Sequence, residues 1–589
     1  MKPLYSTKEF IERLQQNSEL LIIDQEIDPY LELAELQRQV VARKGPALLF
    51  TNVKKTKFPV ATNLYGSEKR LELAFGIRPK ELIRNLVHLS ETLVPPSLGK
   101  LWGARSIAYQ LLKVGLKVCK KPAVLQNSIN PVDLEQLPAI VSWSLDGGAF
   151  ITLPLVYTEN PLNNKGNLGM YRIQLFDKST TGMHIQIHRG AGFHYAEAEK
   201  QHISLNAHIY VGGPPAMTLA AIAPLPEEIS ELLLAALLLG ERLKTTRNKQ
   251  VSPLPIVSDS DFVLIGEIPP KERRPEGPFG DHYGYYSLQH EYPVFRVKSV
   301  YHRKGAIWPA TVVGKPPQED HYIAEYLQEL LSPLFPIVMP GVVSVWAYEE
   351  SGVHSLAACV VKERYYKEAF RAALRVLSEG QLSLSKCLFV INEPVELRDF
   401  KKTFITLLER VNTKTDIHIF TNISQDTLDY TGPEVNKGSK MVVLGIGEKR
   451  NHLRDAYQGS FKNKAFINPV VFCPGVLVVS CKSHRTGDGL PQSLLEEESI
   501  QDFLFVFMTD NSAEATKNAH EFVWTIFTRF EPAGDVYAKY EVVRNHIAYF
   551  NPLVFDCRLK HWYPSVLVPD LTIQKQVQEK FGKLLDRLK

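Results

Sequence analysis

The sequence predicts a multidomain α/β protein in which a strand-rich, barrel-type domain lies between two α/β units and an amphipathic helix ends the chain. Three observations predict it. At 589 residues the chain is too long for one ordinary core. Helical stretches alternate with short apolar runs at both ends, but the middle changes to closely spaced short strands broken by Gly and Pro. The final stretch repeats apolar residues at three- and four-residue steps.

The first unit is expected over residues 1–120. It opens MKPLYSTKEFIERL, where Ser6 with Glu9 reads as a helix capping box and not as a signal peptide. Short apolar runs follow at 47–50 and 60–61. The second unit, 121–314, carries strand patterns at 169–175, 202–211 and 262–265. A Leu-rich helix interrupts them over 227–239, started by Pro226 and stopped by Gly240. The third unit, 315–568, returns to alternation, with helical stretches at 321–331 and 365–377 and apolar strands at 388–391 and 441–444. In the tail, 569–589, Ile573, Val577, Phe581, Leu584 and Leu588 form one helical face, which either caps its own domain or docks on a second subunit.

Composition excludes several classes. The 68 basic and 64 acidic residues give a net charge of +4 without basic blocks, so nucleic acid is not an expected partner. Six cysteines stand singly with no CxxC pair, which fits a reducing, cytoplasmic compartment. The most apolar run, 232–239, falls far short of the roughly 20 residues a membrane-spanning helix needs. Walker A, HExxH and GxSxG motifs are missing, and Gly445 with Gly447 gives only a fragment of GxGxxG.

Three segments of the middle unit concentrate polar groups in apolar surroundings. In NLGMYRIQ, strand alternation puts Met170, Arg172 and Gln174 on one face and Tyr171 and Ile173 on the other. The planar guanidinium of Arg172 suits a carboxylate or phosphate, and a solvent-facing strand residue is the plainer alternative. HIQIHRGAGFH sets His184, Gln186 and His188 along one side of a strand, followed by an Arg189–Gly192 turn whose amides could face an anion; satisfied core or surface histidines are the alternative. In EGPFGDHYGYY, Glu276 and Asp281 flank a turn built on Gly277, Pro278 and Gly280. Two carboxylates held at one pocket suit proton transfer, and a polar hairpin loop is the alternative.

Together these segments resemble the UbiD family of prenylated-flavin decarboxylases. The likeness extends to VVGKPPQED (312–320), SKCLFVINEPVELRDF (385–400) and LDYTGPEVNKGSKM (428–441). The resemblance implies that the middle unit is a split β-barrel that binds prenylated FMN. It implies a divalent metal, Mn2+ or Mg2+, held by Asn167, His188 and Glu231, with K+ a further candidate ion. Flavin contacts fall on Met170, Tyr171, Arg172, His184, Ile185, Gln186, Arg189 and Gly190. Arg172, Glu276 and Asp281 become the catalytic trio, with Asp281 as proton donor. The chain departs from the family pattern at Asn392-Glu393-Pro394 and after Met441, which bears on substrate contacts from the third unit.

The function so implied is non-oxidative decarboxylation of an aromatic acid in quinone biosynthesis. The long carboxyl-terminal part resembles members associated with menaquinone made through the futalosine route and favours a naphthoate-type acid. The alternative is 4-hydroxy-3-polyprenylbenzoate of ubiquinone biosynthesis, and more distant ones are a flavin reductase or a non-catalytic flavin-binding protein. Expected partners are a flavin prenyltransferase as cofactor supplier and further copies of the chain in a homodimer or hexamer. A lipophilic substrate would add peripheral contact with a membrane.

Overall fold

The computed structural model describes residues 2–92, 114–185, 190–223 and 230–588. The chain forms two compact units, Met1–Leu330 with Val566–Lys589, and Leu331–Ser565. Compactness thus divides the chain differently from composition: Leu36, Ile209 and Phe581, from the first, middle and tail segments, share one hydrophobic core.

The centre of the first unit is an eight-stranded sheet. Its path runs Thr180–Gly182, His290–His302, Phe262–Ile268, Leu205–Val211, Pro154–Glu159 and Gly166–Met170, each antiparallel to the next. Asn127–Ile129 and Arg273–Glu276 also pair with the long His290–His302 strand. A smaller sheet joins Leu20–Ile23, Ala47–Phe50 and Val60–Thr62 to Trp308–Pro309, so the two ends of the first 330 residues are hydrogen-bonded together. The tail helix, Leu571–Asp586, is capped by Asp570 and buries Val577, Phe581 and Leu585 in the same core. Lys580 Nζ fixes it to Glu32 at 2.7 Å on the helix Glu32–Ala42. Among the described residues no helix is long and apolar enough to cross a membrane.

The second unit contains a repeat. One five-stranded sheet is ordered Val342–Ala347, Leu356–Val361, Cys387–Ile391, Lys437–Gly445, Ile417–Ser424; the other Ile467–Cys473, Val476–Ser480, Phe505–Thr509, His546–Asp556, Val536–Val543. Strand order and strand sense are the same in both: antiparallel, parallel, parallel, antiparallel. The helices correspond too. Phe400–Leu408 and Ala519–Phe527 follow the third strand of each sheet, and both enter one shared core through Phe404, Leu407, Phe522 and Ile526. The other faces are covered separately, by Glu368–Val376 over the first sheet and Leu490–Leu495 over the second.

Candidate active site

Three local features deliver the polar segments to one place in the first unit. The expected strand over 169–175 is broken into Gly166–Met170 and Ile173–Gln174. At the break the Tyr171 ring folds back over Gly169, where a Cβ would lie 2.6 Å from it, and Arg172 leaves the ladder. The carbonyl of Arg172 accepts from His184 N at 3.2 Å, which brings the second segment alongside. The third segment is a hairpin-like return in which Phe279–Gly280 pairs with Tyr286–Ser287 just after the strand Arg273–Glu276.

Arg172 is the centre of the cluster. Its Nε donates to Glu276 Oε1 at 3.0 Å and Nη2 to Oε2 at 3.3 Å, a two-point ion pair. Nη1 donates to Asp281 Oδ2, and Nη2 also to Ser287 Oγ at 2.8 Å. The guanidinium lies 4.7 Å over the Phe279 ring, which fixes its plane. His184 Nδ1 stands 2.9 Å from Glu276 Oε2. An ionised carboxylate can only accept, so the proton sits on Nδ1 and Nε2 is a bare lone pair, buried and without a hydrogen-bond partner among the described residues.

The charges follow from this geometry. Burial raises the Glu276 carboxyl, but Arg172 and His184 outweigh it and hold the group at about 2. Burial likewise opposes ionisation of Asp281, and the His282 and Arg172 bonds override it, keeping the acid well below its usual range. Burial, with the neighbouring Arg172, pushes His184 below its ordinary value, so its imidazole is neutral.

At the other end of the segment Glu231 reaches the backbone beside Asn167. Glu231 is the first residue of the helix Glu231–Leu239, and its Oε2 accepts from Leu168 N at 3.0 Å, next to Asn167 on the strand. Burial raises the Glu231 carboxyl, the response of an acid taken out of water with no basic side chain beside it among the described residues. The Asn167 Nδ2 is buried without a partner among the described residues. Gly190 packs against this amide: a Cβ there would lie 2.0 Å from Asn167 Oδ1. Among the described residues there is no cluster of three His, Cys, Asp or Glu that could hold a metal. Asn167 and Glu231 nevertheless give two hard oxygen donors, the type that Mn2+ or Mg2+ takes.

His188, Gln186 and Arg189 lie outside the described residues. Of the remaining expected contacts, Tyr171 and Ile185 are buried and Met170 half-buried. Of the turn expected over Arg189–Gly192, residue 189 lies outside the described residues and 190–192 are instead the start of the helix Gly190–Lys200, because Ala191, His194, Tyr195 and Ala198 place one face in the core. The start of the Leu-rich helix also shifts, from 227 to Glu231, with 224–229 outside the described residues.

Sequence reasoning missed two supports of the acid loop. Asp146 accepts from the amides of Ser142 and Trp143, each at 2.9 Å, and from Gly280 N at 2.8 Å, which ties the loop bearing Asp281 to a distant turn. Burial pushes its carboxyl up to about 6. His282 reaches Asp281 Oδ1 through both its backbone N, at 2.7 Å, and Nδ1, at 2.6 Å. The one available signal was DGG at 146–148, a carboxylate before two glycines, which names no partner.

Comparison with known proteins matches this arrangement to one family. Residues 11–90, 117–316 and 321–445 fit the models of the N-terminal, Rift-related and C-terminal domains of 3-octaprenyl-4-hydroxybenzoate carboxy-lyase, known as UbiD. A Chlamydia pneumoniae protein named as one subunit of a 4-hydroxybenzoate decarboxylase is 44% identical over 572 residues, 97% of each chain. A Chlamydia caviae protein is 44% identical over 580 residues, 98% of each chain. Among solved structures, the closed form of vanillic acid decarboxylase from Sedimentibacter hydroxybenzoicus has a TM-score of 0.68 at 25% identity, covering 78% of this chain and 97% of its own. The UbiD-class enzyme HmfF from Pelotomaculum thermopropionicum, solved with FMN, shares the fold with a TM-score of 0.62 at 21% identity over 75% of this chain and 94% of its own. The chain therefore belongs to the UbiD family of carboxy-lyases, and it is a decarboxylase with that family's α/β multidomain fold.

Proposed function

We propose that this chain removes CO2 from an aromatic ring acid with prenylated FMN as cofactor, Arg172, Glu276 and Asp281 forming the reacting centre of a split-barrel domain. The observation that carries the reading is the buried Arg172 bridging two carboxylates, one of which also holds a neutral histidine. Breaking an aryl–carboxylate bond leaves an electron pair that no side chain can accept, and the prenylated flavin supplies that sink when bound. Arg172 draws and orients the substrate carboxylate and Glu276 holds the guanidinium in plane; Asp281, ionised while Arg172 and His282 hold it, gives the proton that replaces CO2 on the ring carbon once the second anion at Arg172 raises its carboxyl. The His184 Nε2 lone pair faces the ligand as an acceptor.

Asn167, Glu231 and His188 would hold Mn2+ or Mg2+, which would clamp the cofactor phosphate; the raised Glu231 carboxyl fits a cation, and the Asn167 Nδ2, a donor without an acceptor among the described residues, fits a phosphate oxygen. Arg172 lies five positions after Asn167, at most about 18 Å of extended chain. That separation suits a ligand with a phosphate at one end and a ring system at the other. Met170, Tyr171, Ile185, Gln186, Arg189 and Gly190 would line it.

For the substrate, the long carboxyl-terminal part favours a naphthoate-type acid of menaquinone synthesis. The name of the Chlamydia pneumoniae relative favours a hydroxybenzoate. The test is CO2 release by the cofactor-loaded enzyme from a naphthoate, 4-hydroxybenzoate and a 4-hydroxy-3-polyprenylbenzoate, beside Asp281→Asn. Turnover is expected with one acid class and a loss of about a thousandfold in the variant. Release from none of the three acids, or near-normal turnover of the variant, contradicts the reading.

A further inference from the structure

We propose that Gln174 is a positioning residue for the proton transfer, a side-chain clamp that sets where the loop 276–281 presents Asp281; this rests on Asp281 being the acid, as argued above. The observation is a pair of hydrogen bonds of opposite sense. Gln174 Oε1 accepts from Gly277 N at 2.8 Å, and Gln174 Nε2 donates to Gly147 O at 2.8 Å. One carboxamide thus joins the turn that carries Asp146 to the loop that carries Glu276 and Asp281.

The place of Gln174 is fixed independently of that loop. Its backbone pairs with Phe150 in a short antiparallel ladder whose other rung is Ile151 with Ile173, and these three apolar side chains are fully buried, as Gln174 itself nearly is. Arg172 lies two positions before it, so guanidinium and carboxamide leave one stretch of backbone and hold the same loop at different points. The two glycines that Gln174 bridges approach closely: a Cβ on Gly147 would lie 2.2 Å from Gly277 O. Along the loop, Arg172 holds Glu276, Gln174 holds Gly277, Gly147 N donates to Pro278 O at 2.7 Å, Phe279 N donates to Ser287 Oγ at 3.2 Å, and Asp146 holds Gly280. Each of the five residues before Asp281 is tied to a partner outside the loop, and Gln174 ties loop and turn together from a third segment.

A loop so held suits a reaction in which an acid must stand at a set distance from a ring carbon, where a misplacement of about 1 Å can cost a hundredfold in rate. Arg172 orients Asp281, but a substrate carboxylate competes for the same guanidinium. The loop's own ties then keep the acid in place. A carboxamide is the group this requires, because it donates and accepts at one site without charge. A carboxylate at the same position would face the Gly147 carbonyl with no proton to donate.

Two variants of the cofactor-loaded enzyme test this, read by steady-state CO2 release, its solvent isotope effect and the content of bound flavin. Gln174→Met keeps the length of the side chain and loses both hydrogen bonds. The expected result is a fall of about 10- to 100-fold in kcat with KM and flavin content kept, and a larger solvent isotope effect because protonation becomes the slow step. Gln174→Glu should be as slow when ionised and should regain rate as pH falls, since the protonated carboxyl again accepts from Gly277 N and donates to Gly147 O. Its rate is taken relative to wild type between about pH 8 and 5, because Asp146, Glu276, Asp281 and Arg172, the charged groups around the two glycines, are common to both proteins. Should the methionine variant not fold, the glutamate variant carries the test. Wild-type kcat in Gln174→Met, a defect confined to KM or flavin content, or a Gln174→Glu ratio that does not rise as pH falls overturns the clamp. Asp281→Asn separates the two claims: if it turns over normally the acid assignment itself fails, whereas an inactive Asp281→Asn beside a normal Gln174→Met removes only the clamp.

Discussion

Each unit of this protein buries an arginine between two carboxylates, and the two clusters differ in what they leave unsatisfied. Arg558, in the second unit, uses all five N–H groups: Asp556 takes Nε and Nη2 at 2.8 and 2.6 Å, Asp488 takes Nη1 and Nη2 at 2.6 and 3.3 Å, and Lys482 O takes the remaining Nη1 N–H at 3.2 Å. Arg172 makes four hydrogen bonds among the described residues, which leaves one Nη1 N–H for a ligand. Beside it lies a histidine nitrogen with no partner among those residues, and on its acid a partly exposed imidazole. A saturated buried cluster holds a fold together; one with spare donors and acceptors is poised to bind.

The contrast predicts opposite effects of substitution. The largest should come from Asp281→Asn, which removes the proposed proton donor and should cost about three orders of magnitude in CO2 release. Next is Gly190→Ala, whose methyl would lie 2.0 Å from Asn167 Oδ1; metal content measured on the purified holoenzyme should fall severalfold while the far-ultraviolet circular dichroism is kept. Arg558→Leu should behave in the reverse sense, leaving Asp556 buried without its partner at a cost of about 3–5 kcal/mol in denaturant unfolding, with turnover per folded molecule near wild type. An Arg558→Leu enzyme that is stable but inactive would break the contrast.

The smallest effects are in pH dependence, where two carboxylates of the first unit have opposite signs. Glu276 is lowered from 4.5 to about 2, so the stability it contributes is present above pH 4.5 and is lost as pH falls towards 2. Asp146 is raised from 3.8 to about 6, so its contribution is full below pH 3.8 and is lost as pH rises through 6. Asp146→Asn should therefore flatten the thermal stability profile between pH 4 and 6 and leave the acid limb below pH 4.5 in place. A profile unchanged in the upper window would remove the burial argument for Asp146.

The site was legible where chemistry and turn geometry coincide in a few residues. Glu276 and Asp281 could be paired from the Gly and Pro between them, and Arg172 stood out as a charge in an apolar strand. Asp146 could not be found because its partner Gly280 is 134 residues away and no local periodicity encodes that meeting. Gly190 read as a turn because glycine favours turns, yet the buried face of the following residues made it a helix start. In the second unit alternation gave the α/β class and strands close to those observed, such as 388–391 against Cys387–Ile391. The duplication stayed hidden because CLFVI and FVFMT, equivalent third strands, are both fully buried but share only their central Phe.

The central proposal is that the first unit holds a prenylated flavin against Arg172 and Asp281. The most direct test is to purify the protein from cells with and without a flavin prenyltransferase, and to compare the mass of the bound flavin with CO2 release. The prediction is that both a prenylated flavin and turnover appear only when the prenyltransferase is present. Equal CO2 release with ordinary FMN, or prenylated flavin bound without any turnover of aromatic acids, would contradict it.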